Sequence, residues 1–271
     1  MQKYIVFIII FLFVFPFELK ASSKIKKDKK EKHKVELPRA SEPDPYVEIK
    51  KDVLLSQAVV AHCGSRRLIE NMTEGIDVSH YQGSIDWSSV AKGGKISYAF
   101  VKASESNYFI DDYYDYNISE GRKHGITMGS YHFFRANVNM TEQFHHMISV
   151  IDPKKQDIGP MIDVEAANGV SSDRFAKRLK EFLDMVENYY GRPPILYTYV
   201  NFYNKYMAYR GFDRYPLMIA FYNELVPSVD DGNQFIMWQY SCRGRIDGIR
   251  GDVDRSKIMS GFSIYDILMY Q

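Results

Sequence analysis

The sequence lacks three features that would place it in a special class of protein. It has two cysteines in 271 residues, which excludes a small scaffold held by many disulfides. Its one long apolar run, Tyr4 to Phe17, is shorter than the roughly 20 residues that a membrane span needs. The net charge is only +1, and because the first 34 residues carry +6, the rest carries −5. That balance disfavours a nucleic-acid partner.

Motifs of several enzyme classes are also missing. The chain contains no H-E-x-x-H metal motif, no G-x-S-x-G nucleophile motif and no phosphate-binding loop. Glu142 and His146 are one helical turn apart and could share a metal, but no third ligand accompanies them. A solvated helix face is the favoured interpretation of this pair. We therefore expect neither a metal nor a cofactor.

The N-terminus has the pattern of a secretory signal. Lys3 precedes the apolar run, and Leu19-Lys20-Ala21 follows it, which predicts a signal peptide over residues 1–21. An uncleaved signal anchor is the alternative. A Lys- and Pro-rich stretch over 22–48 predicts a disordered tether, and 49–73 predicts an extension that packs on the folded part. We expect a secreted, periplasmic or cell-wall-associated monomer with no membrane span after cleavage.

Apolar runs with the length of strands recur along the rest of the chain. There are eight of them: Gly75–Val78, Tyr98–Lys102, Met128–Phe133, Met161–Glu165, Ile195–Thr198, Leu217–Phe221, Ile236–Tyr240 and a run near Val253. Helix-like segments separate the early runs, the clearest from Ser172 to Gly191, whereas the gaps after Leu217 are too short for a helix. The pattern predicts an α/β fold, an irregular β/α barrel whose last strands are joined by loops.

Two carboxylates stand at the end of the fourth run. Asp163 and Glu165 are two residues apart, so on a strand both side chains leave the same face. Neighbouring acids raise each other's proton affinity, which suits one of them to act as a general acid in glycoside hydrolysis. The alternative is a strand-end pair that only caps the next turn. Because Asp77, Glu105 and Asp254 are also predicted at or beyond strand ends, where barrels place their chemistry, the catalytic interpretation is favoured.

Seven motifs follow one another in an order that is more specific than any single motif. They are Gly75-Ile76-Asp77-Val78-Ser79-His80-Tyr81-Gln82-Gly83 with Ile85-Asp86-Trp87, Tyr98-Ala99-Phe100-Val101-Lys102-Ala103-Ser104-Glu105, Gly129-Ser130-Tyr131-His132-Phe133-Phe134, Met161-Ile162-Asp163-Val164-Glu165, Pro194-Ile195-Leu196-Tyr197-Thr198, Met237-Trp238-Gln239-Tyr240-Ser241 and Gly248-Ile249-Arg250-Gly251-Asp252-Val253-Asp254. Over roughly Glu74 to Lys257 the chain resembles the glycoside hydrolase family 25 lysozymes, the Chalaropsis-type muramidases. The resemblance implies a catalytic barrel over 74–271 with about eight strands and five helices. It also implies peptidoglycan glycan strands as the substrate.

The resemblance implies roles for four acids. Glu165 would be the general acid and Asp163 its partner, acting on the substrate's 2-acetamido group; direct attack by a carboxylate or by water stays open. Asp77 would place the sugar or stabilise positive charge at the anomeric carbon. Asp254 would be the fourth acid, unless the adjacent Arg255 pairs with it and makes it structural.

The resemblance also implies substrate contacts. Tyr131, Tyr197, Trp238, Gln239 and Glu105 are the candidate sugar-binding residues, and a core or hydrogen-bonding role is the alternative for each of the first four. Two other functions stay open at this point: a glycan-binding barrel that has lost activity, and a related glycosidase acting on chitin. Cys63 and Cys242 either form a disulfide or remain free thiols.

Overall fold

The structure is a computed structural model that describes residues 74–270. The predicted signal peptide, tether and extension of residues 1–73 lie outside the described residues and stay predictions. Within 74–270, no helix combines the length and apolar character that a membrane crossing requires.

The described part consists of nine strands and five α-helices. The strands are β1 (Glu74–Val78), β2 (Tyr98–Glu105), β3 (Phe109–Ile110), β4 (Thr127–Phe133), β5 (Met161–Asp163), β6 (Ile195–Tyr199), β7 (Leu217–Ala220), β8 (Met237–Gly244) and β9 (Val253–Ile258). The helices are α1 (Trp87–Lys92), α2 (Tyr114–Lys123), α3 (Met140–Val150), α4 (Ser172–Tyr190) and α5 (Val200–Tyr206). Three short 3₁₀ helices cover His80–Gln82, Pro153–Lys155 and Ile264–Ile267.

Eight of the strands close into a barrel. The order around it is β1, β2, β4, β5, β6, β7, β8 and β9, and β1 pairs with both β2 and β9. All neighbours are parallel except β9, which runs antiparallel to β8 and to β1. The predicted eight-run barrel is confirmed. The two-residue strand β3, which pairs with the end of β2, is too short to give a sequence signal.

The helices also follow the predicted pattern. No α-helix separates β7 from β8 or β8 from β9, so the last strands are joined by loops as expected. The predicted helix from Ser172 to Gly191 is α4, with Ser171 rather than Ser172 in the capping position. Gly191 ends the helix in the left-handed region with φ of 73°, a conformation that glycine adopts without steric cost.

Side chains along each strand alternate between two apolar cores. Ile162 and Val164 face the larger core between barrel and helices, whereas Met161 faces the core inside the barrel. Because strand side chains alternate with a period of two, residue 163 faces the barrel interior with Met161. The same alternation directs Asp77, between Ile76 and Val78, into the barrel.

Aromatic rings fill the barrel interior at the N-terminal ends of its strands. A Cβ at Gly75 would lie 2.0 Å from the Tyr98 ring, and a Cβ at Gly129 would lie 2.8 Å from the Phe100 ring. Only glycine leaves room for these rings, since forcing extra atoms into a packed core costs about 1–3 kcal/mol. The barrel interior is thus filled at the N-terminal ends of the strands, and its open space lies toward the C-terminal ends of the parallel strands.

Candidate active site

A cleft of about 330 Å³ opens at the C-terminal ends of the parallel strands. Four carboxylates lie in its wall: Asp77, Asp163, Glu165 and Asp254. Five aromatic rings line it as well: Tyr81, Tyr131, Phe133, Tyr197 and Tyr222. The polar side chains of Gln82, Lys102 and Gln239 also line the cleft. The cleft thus combines several buried acids with flat apolar surfaces, the two chemistries that sugar hydrolysis needs.

Backbone contacts hold Asp163 and Glu165 on the same side of the chain. β5 ends at Asp163, two residues earlier than predicted. Beyond it, the Phe134 N–H donates to the Asp163 carbonyl at 2.9 Å, and the Val164 N–H donates to the Tyr197 carbonyl at 2.9 Å. These bonds keep the alternation going after the strand ends, so both acids line the cleft.

Asp77 and Asp254 come from neighbouring antiparallel strands. They are directly paired positions in the register of β1 and β9. The prediction that Asp254 lies at a C-terminal strand end is wrong: it is the second residue of β9. Since β9 runs antiparallel to β1, its beginning reaches the same rim of the barrel. Arg255 does not neutralise Asp254, because its guanidinium donates to Glu74 at 2.8 Å.

Burial dominates the electrostatics of the central pair. It raises the pKa of Asp163 well above its usual value, and the charge of Glu165 raises that pKa further. Burial also raises the pKa of Glu165, while the Tyr197 hydroxyl lowers it and the charge of Asp254 raises it again. The doubly ionised state is therefore unfavourable, and the pair retains a proton.

The second pair of acids is also shifted. Burial raises the pKa of Asp77 to about 8, while a hydrogen bond from Gln239 opposes the shift and the charge of Asp254 adds to it. Burial raises the pKa of Asp254 to about 6. At neutral pH, Asp77 is thus mainly protonated and Asp254 mainly ionised.

Gln239 connects Asp77 to two of the aromatic residues. The Tyr197 and Tyr222 hydroxyls donate to its Oε1 at 2.9 and 2.8 Å, and its Nε2 donates to Asp77 Oδ2 at 2.9 Å. The orientation of the Gln239 amide is fixed by this arrangement. Asp77 Oδ1 and Asp163 Oδ1 are buried without a hydrogen-bond partner among the described residues, so each is free to bond to a ligand.

Lys102 supplies a positive charge to the cleft. Its Nζ donates to Glu105 at 2.7 Å and lies over the rings of Phe109 and Phe133 at 5.3 and 5.2 Å. Its charge lowers the pKa of both Asp163 and Glu165. Proteins hold a buried ammonium in this way when a carboxylate and aromatic faces replace its water.

The position of Glu105 does not match the predicted sugar contact. Its carboxylate binds Lys102 on one side and the Arg135 guanidinium on the other, and it is not among the cleft-lining residues. These two partners lower its pKa, although burial opposes them. Glu105 therefore holds Lys102 in place from behind the cleft wall.

Trp238 also lies away from the cleft. Gln239 points into the barrel, so its neighbour Trp238 points out of it, where its Nε1 donates to the Phe221 carbonyl at 2.8 Å. Only 3% of Trp238 is exposed. Of the five predicted sugar-binding residues, Tyr131, Tyr197 and Gln239 line the cleft.

Eight cleft residues were not singled out from the sequence: Val78, Ser79, Tyr81, Gln82, Lys102, Phe133, Met161 and Tyr222. All except Tyr222 stand inside motifs that were used for the family resemblance, so their motif membership was the available signal. Tyr81 is 83% exposed at the rim, in the 3₁₀ turn that directly follows β1.

Other candidates from the sequence take no part in this cleft. Glu142 accepts a hydrogen bond from Asn107, and His146 contacts the Phe109 carbonyl, so the two do not share a partner. Among residues 74–270, no three His, Cys, Asp or Glu side chains are grouped to hold a metal ion. Cys242 is exposed. Cys63 lies outside the described residues, and the disulfide stays a prediction.

Comparisons with known proteins relate the barrel part of the chain to a family of glycosyl hydrolases. The model of glycosyl hydrolases family 25 matches residues 76–249. Lysozyme M1 of Streptomyces globisporus is 32% identical over 197 residues, which cover 68% of this chain and 67% of that protein. The uncharacterized protein YegX of Escherichia coli K12 is 36% identical over 184 residues, which cover 66% of this chain and 67% of that protein. The bacterial lysozyme of Streptomyces coelicolor matches in structure with a TM-score of 0.63 and 30% identity. The match covers 70% of this chain and 92% of that chain.

Proposed function

Since the chain belongs to glycosyl hydrolases family 25, we propose that it is a lysozyme that hydrolyses the β-1,4 bond between N-acetylmuramic acid and N-acetylglucosamine in peptidoglycan. The observation that carries this proposal is the buried Asp163 and Glu165 pair at the open end of the barrel, where burial raises the pKa of both carboxyl groups. The named lysozymes among its relatives support the substrate. Two family features, an acidic cleft and its aromatic lining, are both present.

Glu165 is the proposed general acid. Burial favours its protonated form, and it lies beyond the strand end, less buried than Asp163. In the reaction its proton moves to the glycosidic oxygen as the bond from that oxygen to the anomeric carbon breaks. Water then adds to the anomeric carbon, directly or by opening the ring formed with the acetamido oxygen, and gives a proton to the Glu165 carboxylate, which completes the cycle.

Asp163 is the proposed partner at the anomeric carbon. Its free Oδ1 is suited to accept the N–H of the 2-acetamido group, which orients that group's carbonyl oxygen for attack. Positive charge develops on the sugar as the acid pair gives its proton to the leaving group. Once that proton has left the pair, Asp163 stabilises the positive charge. This electrostatic role is the same whether the acetamido oxygen or a water molecule attacks.

Asp77 is proposed to place the sugar rather than to stabilise charge. With a pKa of about 8 it is mainly neutral at pH 7, and Gln239 occupies its Oδ2. Its Oδ1 is thus a donor for a sugar hydroxyl. Asp254, mainly ionised at neutral pH, is the proposed electrostatic contributor on that side of the cleft.

The proposed site of action is the cell wall outside the cytoplasm. The predicted signal peptide of residues 1–21 and the Lys-rich tether of 22–48 support export. Intact-mass analysis of exported protein tests this, because cleavage gives a chain that begins near Ser22. A mass that still includes residues 1–21 contradicts cleavage and favours an anchor.

Product analysis tests the proposed bond specificity. Purified peptidoglycan is digested, the new reducing ends are reduced with borohydride, and the fragments are identified by mass spectrometry. We expect reduced N-acetylmuramic acid at the new ends. Reduced N-acetylglucosamine alone contradicts the bond assignment, cleavage of chitooligosaccharides without action on cell walls selects a chitin-type enzyme, and binding without any cleavage selects an inactive glycan-binding barrel.

A further inference from the structure

A second groove lies on the outer face of β8 and β9. Its volume is about 800 Å³, and Tyr222, Trp238, Tyr240, Arg243 and Lys257 are among its lining residues. No α-helix follows β7 or β8 in the chain, so this sector of the barrel is not covered in the usual way. The groove is therefore a surface that the fold leaves open.

Strand alternation explains which side chains reach this face. Gln239 and Ser256 are paired positions that point inward, where Ser256 contacts the Tyr98 hydroxyl. Their neighbours Trp238 and Lys257, also paired, consequently point outward. On the outer face of these two strands, Lys257 thus lies over the buried Trp238 ring and beside the half-buried ring of Tyr240.

Lys257 contacts two rings and, within residues 74–270, pairs with no acid. Its Nζ lies 4.7 Å from the centre of the Trp238 ring and 5.7 Å from that of Tyr240. Arg255 on the same face differs, since it pairs with Glu74, which also accepts a hydrogen bond from the Tyr240 hydroxyl. Glu74 is thus already engaged.

Arg243 adds a second positive charge to the groove and is exposed. Among residues 74–270, no carboxylate lies within ion-pair distance of Lys257 or Arg243, and Glu224 is the one carboxylate in the groove lining. The groove therefore has an excess of unpaired positive charge next to apolar rings.

The groove borders on the catalytic cleft at Tyr222. Tyr222 lines both, and its hydroxyl donates to Gln239 inside the cleft. Among the described residues, the cleft offers no free positive charge to an anionic part of a bound substrate, because Lys102, the basic side chain in its lining, is paired with Glu105. The adjacent groove is where such a part finds the opposite charge.

We propose that this groove binds the stem peptide of peptidoglycan through its carboxylates. The inference rests on the proposed function, because a glycan strand in the cleft carries a peptide on each N-acetylmuramic acid. That peptide is acidic and contains small apolar side chains, which match the basic groups and the rings of the groove. Lys257 acts as a point charge positioned by Trp238 and Tyr240, and Arg243 offers a planar fork to a carboxylate.

The test compares glycan strands with and without the peptide; the stripped strands carry the free lactyl carboxylate in its place. Glycan strands bearing uncrosslinked stem peptides are prepared, and one half is stripped of peptides with an N-acetylmuramoyl-L-alanine amidase. We measure kcat and KM of the full chain and of a Lys257→Ala/Arg243→Ala double variant on both. The double variant should lose about tenfold in kcat/KM on peptide-bearing strands, the equivalent of about 1.4 kcal/mol, mostly through KM. On stripped strands it should stay within about twofold of the parent.

A matched variant controls for the loss of charge. Arg174 and Lys177 are exposed on α4 and do not line the groove, so Arg174→Ala/Lys177→Ala removes the same charge elsewhere. It should leave both substrates unaffected. Equal losses for the two double variants, or an equal loss by the groove variant on both substrates, overturn the proposal. So does an unchanged kcat/KM of the groove variant on peptide-bearing strands.

A binding measurement separates this proposal from the proposed function. Calorimetry compares the disaccharide bearing its tetrapeptide with the bare disaccharide, on the parent and on the groove variant. The peptide should improve binding to the parent about tenfold and add nothing for the variant. Failure to cleave either kind of strand overturns the proposed function. The binding difference still decides whether the groove holds the peptide, and the absence of that difference overturns the groove proposal.

Discussion

Asp77 and Asp254 face each other as a directly paired couple on antiparallel strands, and both line the cleft. Two ionised carboxylates in such a pair repel each other. The cleft avoids this repulsion because Asp77 is mainly protonated at neutral pH, with a pKa of about 8 against about 6 for Asp254. Burial of Asp77, which outweighs the opposing hydrogen bond from Gln239, thus divides the pair into a neutral donor and an anion.

The proton on Asp77 links protein stability to pH. Its pKa is 3.8 in an unperturbed chain and about 8 in the fold, so the fold holds more protons between these values. The contribution of Asp77 to stability is complete below about pH 4 and is lost as the pH rises through 8. The Asn side chain of Asp77→Asn does not titrate, so the variant lacks this loss of stability with rising pH.

The stability of Asp77→Asn relative to the parent should therefore increase from pH 5 to pH 8, by at most about 1.4 kcal/mol per pH unit. Urea unfolding at both pH values measures it. Asp252→Asn is the control, since that exposed carboxylate pairs with Arg245 at the surface. Parallel pH profiles for Asp77→Asn and the parent contradict the assigned proton.

The charge of Asp254 should set the alkaline limit of activity. Activity is lost when Glu165 loses its proton, and Asp254 raises the pKa of Glu165. Asp254→Asn should lower that pKa and move the alkaline limb of kcat/KM to lower pH, by a few tenths to about one unit.

Tyr197→Phe provides a comparison with the opposite sign. The Tyr197 hydroxyl lowers the pKa of Glu165, so its removal should move the same limb to higher pH. Gln239 keeps its hydrogen bond from Tyr222 in this variant. Two variants that shift the limb in the same direction, or two that leave it unmoved, contradict the assignment of this limb to Glu165.

Glu105 should influence the rate through Lys102 rather than through the sugar. Glu105→Gln removes the carboxylate that pairs with Lys102, and it removes a charge that raises the pKa of Asp163. Both changes favour ionisation of the acid pair. We expect an alkaline limb at lower pH, a reduced kcat and a KM within about twofold of the parent.

Glu120→Gln is the control for Glu105→Gln, because Glu120 pairs with Lys123 on the outside of α2. It should leave the pH profile of kcat/KM unchanged. A large increase in KM for Glu105→Gln, without a shift of the limb, favours the sugar contact expected from the sequence instead.

The features that were predictable from the sequence depend on local patterns. The alternation around Ile162 and Val164 indicated that Asp163 and Glu165 share a face, and the spacing from Phe175 to Val186 indicated α4 and its buried side. Gly191 marked the end of that helix. Each signal lies within about 20 residues of the feature that it predicts.

The features that were not predictable depend on pairing between distant strands. The hydrogen bond from Gln239 to Asp77 spans 162 residues. The outward direction of Trp238 follows from the register of β8, since a shift by one residue would exchange it with Gln239. The direction of β9 has no signal in a six-residue strand, which is why Asp254 was assigned to the wrong strand end.

The central claim is that Glu165 donates the proton to the leaving sugar. Glu165→Gln keeps the shape of the side chain and removes the proton. A positioned general acid contributes about 10²- to 10⁴-fold in rate, and much less to binding of the ground state. The most direct measurement is therefore kcat on purified peptidoglycan for folded Glu165→Gln, with glycan binding measured on the same sample. The account predicts a rate at least about 100-fold below the parent with binding retained. A rate above about a tenth of the parent would contradict it.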